Sequence, residues 1–189
     1  CLILILHFIS CNKYQNSSAY DNRDIPSKQV IDMIRIPQND NYSCATTSVA
    51  MVLTYYQKLI EPLNKELVWE ISKTDKDKVL KFGNDIGGLN RICDHYNYKY
   101  DFKQNMSFDD LRYYLSKNIP VVIFINFDET HTHATVLNGY DIEKKMFFTI
   151  DPSIEETEMS EEFLEMHWSA WLSNPKKESF RAGYLIYNN

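Results

Sequence analysis

Helical spacing of apolar residues dominates the chain from residue 44 to residue 117. This spacing predicts helices over residues 44–57, 64–72, 86–96 and 108–117, with one short strand at 98–102. Asn41 or Ser43 stands where a side chain caps the first of these helices. The first half of the folded chain is therefore predicted to be mainly helical.

Strand character replaces helical spacing after Pro120. Residues rich in β-branched and aromatic side chains predict strands at 121–126, 134–140 and 145–150, the last two joined by a turn at 141–144. A further helix is predicted at 161–172 and a closing strand at 184–187. Because helices come first and an antiparallel sheet follows, the predicted fold class is α+β rather than alternating βαβ.

An apolar run covers residues 1–10 and is followed at once by Cys11. It is shorter than the roughly 20 residues of a spanning helix and is typical of the apolar part of a signal peptide whose Met and basic segment are missing. Ser10 followed by Cys11 resembles the end of a bacterial lipobox, which makes Cys11 a candidate for lipidation. An ordinary export signal and a buried N-terminal strand are the alternatives.

These features predict three parts of an exported, envelope-located or secreted bacterial protein. They are a leader over 1–11, a polar tether over 12–30 and one folded domain over 31–189. The formal net charge is −6 without a Lys/Arg cluster, so nucleic acid is not an expected partner. A lipid anchor would bring association with a membrane, and the oligomeric state stays open.

The four cysteines differ in their surroundings. Cys1 and Cys11 belong to the predicted leader, and Cys93 lies on the apolar stripe of a predicted helix, as a small buried residue does. Their spacing matches no zinc site, so neither a metal nor another cofactor is predicted. Cys44 remains, at the start of an apolar helix, where unpaired N–H groups and the helix dipole stabilise a thiolate.

A reactive thiolate needs an imidazolium partner and a third group that orients the ring. His131 and His133 precede the strand at 134–140, and Asp151 follows the next strand. Both histidines have the same parity along the strand, so the sheet face alone does not choose between them.

The predicted hairpin brings one of these histidines close to the carboxylate. If Tyr140 lies opposite Met146, Thr135 falls opposite Asp151 and His133 is its diagonal neighbour, about 7 Å away on the same face. A slip of one residue would move Asp151 to the other face.

Acyl transfer also requires donors for the developing oxyanion. The backbone N–H of Cys44 is one candidate, and the side-chain amide of Gln38, six residues earlier, is another.

Four sites now resemble those of a known family. Residues 36–53 (IPQNDNYSCATTSVAMVL) resemble the opening motif of bacteriocin-processing, double-glycine-cleaving cysteine peptidases and their stand-alone relatives. Residues 133–141 (HATVLNGYD) look like the second motif, whose His lies six residues before a Gly, and this spacing selects His133. Asp151 followed by Pro152 looks like the third motif. Ala45 departs from the Gly that usually follows the nucleophile.

The resemblance implies a papain-like peptidase in which a helical half carries Cys44 and packs on a C-terminal sheet. It implies Cys44 as nucleophile, His133 as base, Asp151 as the group that orients His133, and Gln38 as oxyanion donor. The expected partner is a peptide or protein substrate. Two alternatives remain: an acyltransferase that passes the acyl group to an amine, and an inert peptide-binding module, which Ala45 motivates.

Overall fold

The computed structural model describes residues 25–82, 84–126, 132–155, 158–171 and 178–188. The predicted leader and most of the predicted tether, including Cys1 and Cys11, lie outside these residues, and so does His131. No helix within the described ranges has the length and hydropathy to cross a membrane.

Helices occupy mainly the first half and strands the second, in the predicted α+β arrangement. The helices are α1 (Cys44–Tyr56), α2 (Lys65–Ser72), α3 (Lys76–Phe82), α4 (Ile86–His95), α5 (Phe108–Ser116) and α6 (Glu161–His167). The strands are β1 (Lys28–Val30), β2 (Lys99–Lys103), β3 (Val121–Asn126), β4 (Thr132–Asp141), β5 (Met146–Ile150), β6 (Glu158–Ser160), β7 (Ser169–Trp171), β8 (Glu178–Phe180) and β9 (Gly183–Tyr187).

Seven strands of the described chain form one antiparallel sheet in the order β2-β9-β3-β4-β5-β6, and β1 pairs with β4 beside this path. The predicted closing strand is therefore not at an edge, because β9 pairs with both β2 and β3. Residues 28–30, placed in the tether by the sequence, add to the sheet through β1. The strands β7 and β8 form a separate pair.

Most predicted helix boundaries agree with the structure to within one or two residues, but the helix predicted at 161–172 was too long. It ends at His167, and the chain continues as β7. Trp168 explains the end, because its Nε1–H donates to the carbonyl of Ala182 (2.9 Å) and its ring is buried. The aromatic residue that predicted helix instead anchors the entry to a strand. The helix α3 was not predicted.

Apolar side chains cover both faces of the sheet. Val122, Phe124, Ala134 and Val136 face one core, to which α1, α2 and α4 contribute. The alternate residues of β3 and β4 face a second core with α5, α6 and Trp168. Burial on both faces explains why residues 121–125 are uniformly apolar and lack an alternating pattern.

The β4–β5 hairpin contains a bulge that the sequence did not reveal. Near the turn Tyr140 pairs with Phe147, not with Met146 as predicted. A register shift at Asn138 removes this one-residue difference, so that Val136 pairs with Ile150. If this register continues for one more residue, Thr135 lies opposite Asp151, as the sequence predicted.

Candidate active site

Cys44 is the first residue of α1, and Asp40 supports the chain just before it. The Oδ1 of Asp40 accepts from the N–H groups of Tyr42 (2.9 Å) and Ser43 (2.8 Å), and its Oδ2 accepts from Ser43 Oγ (2.9 Å). Ser43 occupies the N-cap position but makes no side-chain cap. The sequence thus predicted the N-cap position of Ser43 correctly, but not the missing side-chain bond; the Asp40 turn organises the start of the helix instead.

The helix behind Cys44 is buried along most of its length. Residues 45–54 of α1 are all buried, and hydroxyl groups among them bond to nearby carbonyls. Ser48 Oγ donates to the carbonyl of Ala134 on β4 (3.3 Å). Because Ala134 follows His133, this bond ties the helix of Cys44 to the strand of His133.

His133 and Asp151 form a direct hydrogen bond of 2.6 Å between Nε2 and Oδ2. The carboxylate only accepts, so the imidazole donates from Nε2, which leaves Nδ1 as the ring nitrogen for the hydrogen bond between His133 and Cys44. The side chain of Asp151 is fully buried and that of His133 is 13% exposed. The predicted proximity of these two residues is therefore observed.

The charge on His133 is stabilised by its partners. Burial alone would lower the pKa of His133, but hydrogen bonds to Asp151 and Cys44 outweigh it and raise that pKa to about 9. Burial would raise the pKa of Asp151, yet the bond from His133 and the N–H groups of Ser153 (2.7 Å) and Ile154 (2.9 Å) hold it below its usual value. Both shifts favour the charged forms of the pair, an imidazolium and a carboxylate, at neutral pH.

Gln38 is anchored on the loop that leads to Cys44. Its backbone N–H donates to the carbonyl of Pro152 (2.8 Å), and its Nε2 donates to the carbonyl of Asp40 (2.7 Å). One hydrogen of the Nε2 group is left for another acceptor. Its Oε1 is buried without a partner among the described residues.

Arg35 holds the turn that carries Asp151, a contact that no sequence motif indicated. Its Nε donates to the carbonyl of Asp151 (2.7 Å), and its Nη2 lies 3.4 Å from the carbonyls of Pro152 and Ile154. Since Gln38 also binds Pro152, the loop before Cys44 and the turn after β5 are joined twice.

A small cleft opens beside Cys44. About 340 Å³ of space is lined by Cys44, Ala45, Asn41, Tyr42, Val79, Asn84, Phe124, Thr132 and Ala134. A larger groove of about 800 Å³ includes Tyr55 and Tyr56. That groove lies at the opposite end of α1, about 18 Å from Cys44 at 1.5 Å per residue. The small cleft is therefore the one that serves the reactive residues.

Neither a metal nor a disulfide organises the described part of the molecule. No group of three His, Cys, Asp or Glu residues suited to a metal ion occurs there. Cys44 and Cys93 are both free thiols. Cys93 is fully buried, and this burial raises its pKa to about 11, so it differs sharply from Cys44 in accessibility.

Solved structures of peptidases share this fold. A double glycine motif protease from an AMS/PCAT transporter, in complex with the leader peptide, matches with a TM-score of 0.61 and 17% identity over 85% of this chain and 95% of its own. A putative C39-like peptidase from Bacillus anthracis matches with a TM-score of 0.60 and 20% identity, over 86% of this chain and 98% of its own. The third match is the peptidase domain of Streptococcus ComA, a bifunctional ABC transporter involved in quorum sensing. Its TM-score is 0.58 and its identity 17%, over 82% of this chain and 98% of its own.

The fold, with a cysteine at the start of a buried helix and a bonded His–Asp pair beside it, defines the molecule as a cysteine peptidase of the papain-like class. The chain belongs to the Peptidase_C39 like family, whose sequence model matches residues 30–175. No curated protein matches it significantly. The family relationship that the motifs indicated is thereby confirmed.

Proposed function

We propose that the protein hydrolyses peptide bonds through a triad of Cys44, His133 and Asp151, with Gln38 as oxyanion donor. The observation that carries this proposal is the buried 2.6 Å bond between His133 and Asp151. It keeps His133 protonated at neutral pH, and an imidazolium that hydrogen-bonds to Cys44 favours the thiolate. Peptides are the proposed substrates because a structural relative binds a leader peptide.

In the first half of the reaction, Cys44 Sγ attacks the carbonyl carbon and forms a tetrahedral intermediate. His133 then gives its proton to the leaving amine as the C–N bond breaks, which leaves an acyl-enzyme thioester. In the second half, neutral His133 takes a proton from water, whose oxygen attacks the thioester. The acid leaves, and the thiolate–imidazolium pair is restored.

Two donors would stabilise the oxyanion of each intermediate. The backbone N–H of Cys44 stands in the first turn of α1, where it has no carbonyl partner within the helix. The second hydrogen of Gln38 Nε2 is the other donor. The bonds of Gln38 to Asp40 and Pro152 hold the amide before substrate arrives, as electrostatic preorganisation requires.

The activated thiolate is tested by alkylation with iodoacetamide at pH 6, followed by peptide mapping. Free cysteine is largely protonated at that pH, so Cys44 should label about tenfold faster or more. Cys93 serves as the internal control and should stay unlabelled in the folded protein. If Cys44 labels no faster than free cysteine, the proposal is wrong.

Cleavage is tested with a peptide library and an added amine. Wild type should release products that Cys44→Ala does not, and an amine adduct in place of hydrolysis would contradict the proposal. Gln38→Ala should lower kcat by about 10²- to 10³-fold. Gln57→Ala, at the other end of α1, is the matched control and should keep kcat; an equal loss in both variants would remove Gln38 from the mechanism.

We further propose that the protein is exported and lipid-anchored through Cys11. The support is the apolar run at 1–10 and the lipobox-like Ser10 and Cys11. Expression in bacteria should leave wild type in the membrane fraction, with a lipid mass on Cys11. Cys11→Ser should move to the soluble fraction. Wild type without lipid on Cys11 would refute the anchor and leave the catalytic proposal untouched.

A further inference from the structure

Asn84 is a buried amide in the wall of the Cys44 cleft that the proposed mechanism does not use. It is 5% exposed, and its Nδ2 has no acceptor among the described residues. It lines the same cleft as Cys44, Ala45 and Phe124. Since most buried polar atoms in folded proteins have a hydrogen-bond partner, an amide donor left open beside a nucleophile requires an explanation.

The chain on the C-terminal side of Asn84 is firmly held. Asp85 caps α4 by accepting from the N–H of Gly87 (2.9 Å). Arg91, one turn further along α4, donates from Nε to the carbonyl of Ser72 at the end of α2 (2.7 Å). These contacts fix the start of α4 against α2. Asn84 therefore directly precedes a helix start that is fixed in place.

The chemistry of the cleft indicates which acceptor Asn84 would meet. Apolar and uncharged polar side chains line the cleft, and none of the described Lys, Arg, Asp or Glu residues is among them, so the cleft is unsuited to a charged side chain. Every peptide that enters beside Cys44, however, brings backbone carbonyl oxygens that lose their water there. The terminal torsion of Asn is broad, so the amide of Asn84 can reorient when a peptide enters the cleft that it lines.

We propose that Asn84 is a substrate-binding residue whose Nδ2 donates a hydrogen bond to a backbone carbonyl of the peptide held beside Cys44. This inference rests on the proposed peptidase function. The donor is buried, has no acceptor among the residues that the structure describes, and gains one when the peptide binds. The bond is made equally in the bound substrate and the transition state, so it acts on binding and not on the chemical step.

The test compares two alkylating probes on wild type, Asn84→Leu and Asn84→Ser. Iodoacetamide carries no peptide and reports only on Cys44, whereas an acyl-dipeptidyl chloromethyl ketone also carries backbone carbonyls. Asn84→Leu should raise the concentration of peptidyl reagent at half-maximal labelling rate about tenfold. The maximal labelling rate should stay within twofold of wild type. Asn84→Ser keeps a donor and should give an intermediate value. The iodoacetamide rate should stay within twofold throughout.

Thermal unfolding separates this role from a structural one. Asn84→Leu removes a buried Nδ2 group that has no acceptor within the described ranges, so its unfolding midpoint should equal or exceed that of wild type. Asn188→Leu, an exposed Asn far from the cleft, is the matched control and should change neither probe. If the half-saturation concentration of the peptidyl reagent is unchanged in Asn84→Leu, the inference is overturned. A lowered midpoint with parallel loss of both reactivities also overturns it. Slow iodoacetamide labelling of wild type would instead remove the proposed function.

Discussion

Two opposing effects act on the proton of His133. Burial disfavours the imidazolium, whereas Asp151 and Cys44 stabilise it, and the balance raises the pKa to about 9. The folded protein therefore binds this proton more tightly than the unfolded chain does, whose histidine has a pKa near 6.5. The pKa of Asp151 shifts in the opposite direction, because the same hydrogen bond and two backbone N–H groups lower it.

These shifts predict how stability depends on pH. The contribution of His133 is complete below about pH 6.5 and is lost as pH rises through about 9; that of Asp151 is present above about pH 4 and is lost as pH falls. Urea unfolding of wild type should show a decrease of up to about 3 kcal/mol between pH 6 and pH 9.5. His133→Ala should give a flatter curve.

His95→Ala provides the control for this measurement, because His95 is exposed on α4. Its stability should follow the wild-type curve across the same range. Parallel curves for wild type and His133→Ala would contradict the assigned shift.

The residues proposed to carry the chemistry have local signals in the sequence, whereas the residues that contact and support them do not. Cys44, His133 and Asp151 were proposed from helix position, strand parity and motif spacing, all of which are local. Asp40, Arg35 and Asn84 were not proposed. An aspartate can bond to backbone N–H groups two and three residues later and so favours a turn, but this local signal does not show that the turn leads into the helix of Cys44. Their contacts exist only in the folded chain.

Between elements, Arg35 joins the loop before α1 to the turn after β5. Arg35→Ala should lower the free energy of unfolding by about 1.5 to 3 kcal/mol, since hydrogen bonds from a charged donor are lost. It should also lower kcat, because the turn that holds Asp151 loosens. Arg35→Lys should recover only part of the unfolding free energy and of kcat, since an ammonium lacks the planar fork of donors that a guanidinium has. Chemical denaturation and cleavage kinetics measure the two effects.

Arg112→Ala is the control for a lost arginine network elsewhere. Arg112 lies on α5 and pairs with Glu161 and Asp109. Stability should fall while kcat of the folded fraction stays near wild type. If Arg35→Ala behaves in the same way, Arg35 has no role in positioning the site.

The pairing of β1 with β4 depends on a glycine. A Cβ at Gly139 would lie 2.3 Å from the backbone oxygen of Gln29 in β1. Gly139→Ala should therefore displace β1 and lower the free energy of unfolding by about 1 to 3 kcal/mol, as overpacking does. Hydrogen exchange should become faster at residues 28–30.

Gly87→Ala is the matched substitution for that experiment. The nearest atoms to its Cβ would be side-chain atoms, the carboxylate of Asp85 at 3.3 Å and the guanidinium of Arg91 at 3.4 Å, and these distances are far less crowded than the 2.3 Å at Gly139. Stability should stay within about 1 kcal/mol of wild type. Equal losses in the two variants would show that the approach of β1 does not constrain Gly139.

Over the whole molecule, the sheet separates two hydrophobic cores. Leu164 of α6 is fully buried in the second core, away from α1. Leu164→Ala should cost about 2 to 5 kcal/mol. The iodoacetamide rate of Cys44 per folded molecule should stay unchanged, because its partners belong to α1, β4 and the turn after β5. A slower rate in folded Leu164→Ala would show that the second core also controls the site.

Features carried by short stretches of chain could be inferred from the sequence alone. They include the α+β class, most element boundaries, and the family relationship, because periodicity and motif spacing are local properties. The bulge at Asn138 marks the limit of such inference. The predicted register was wrong by one residue near the turn and correct near Asp151, since a bulge inserts a residue without a reliable sequence signal.

The three-dimensional structure was needed wherever distant residues meet. Arg35 and Asp151 are 116 residues apart, and the sheet order places β9 beside β3. Such contacts depend on how whole elements pack, which no local pattern encodes. The burial of Asn84 beside Cys44 is of the same kind, because the α3–α4 connection and β3 together form the cleft. The proposed nucleophile thus has local signals in the sequence, whereas the contacts that support it and the proposed substrate contact of Asn84 depend on packing.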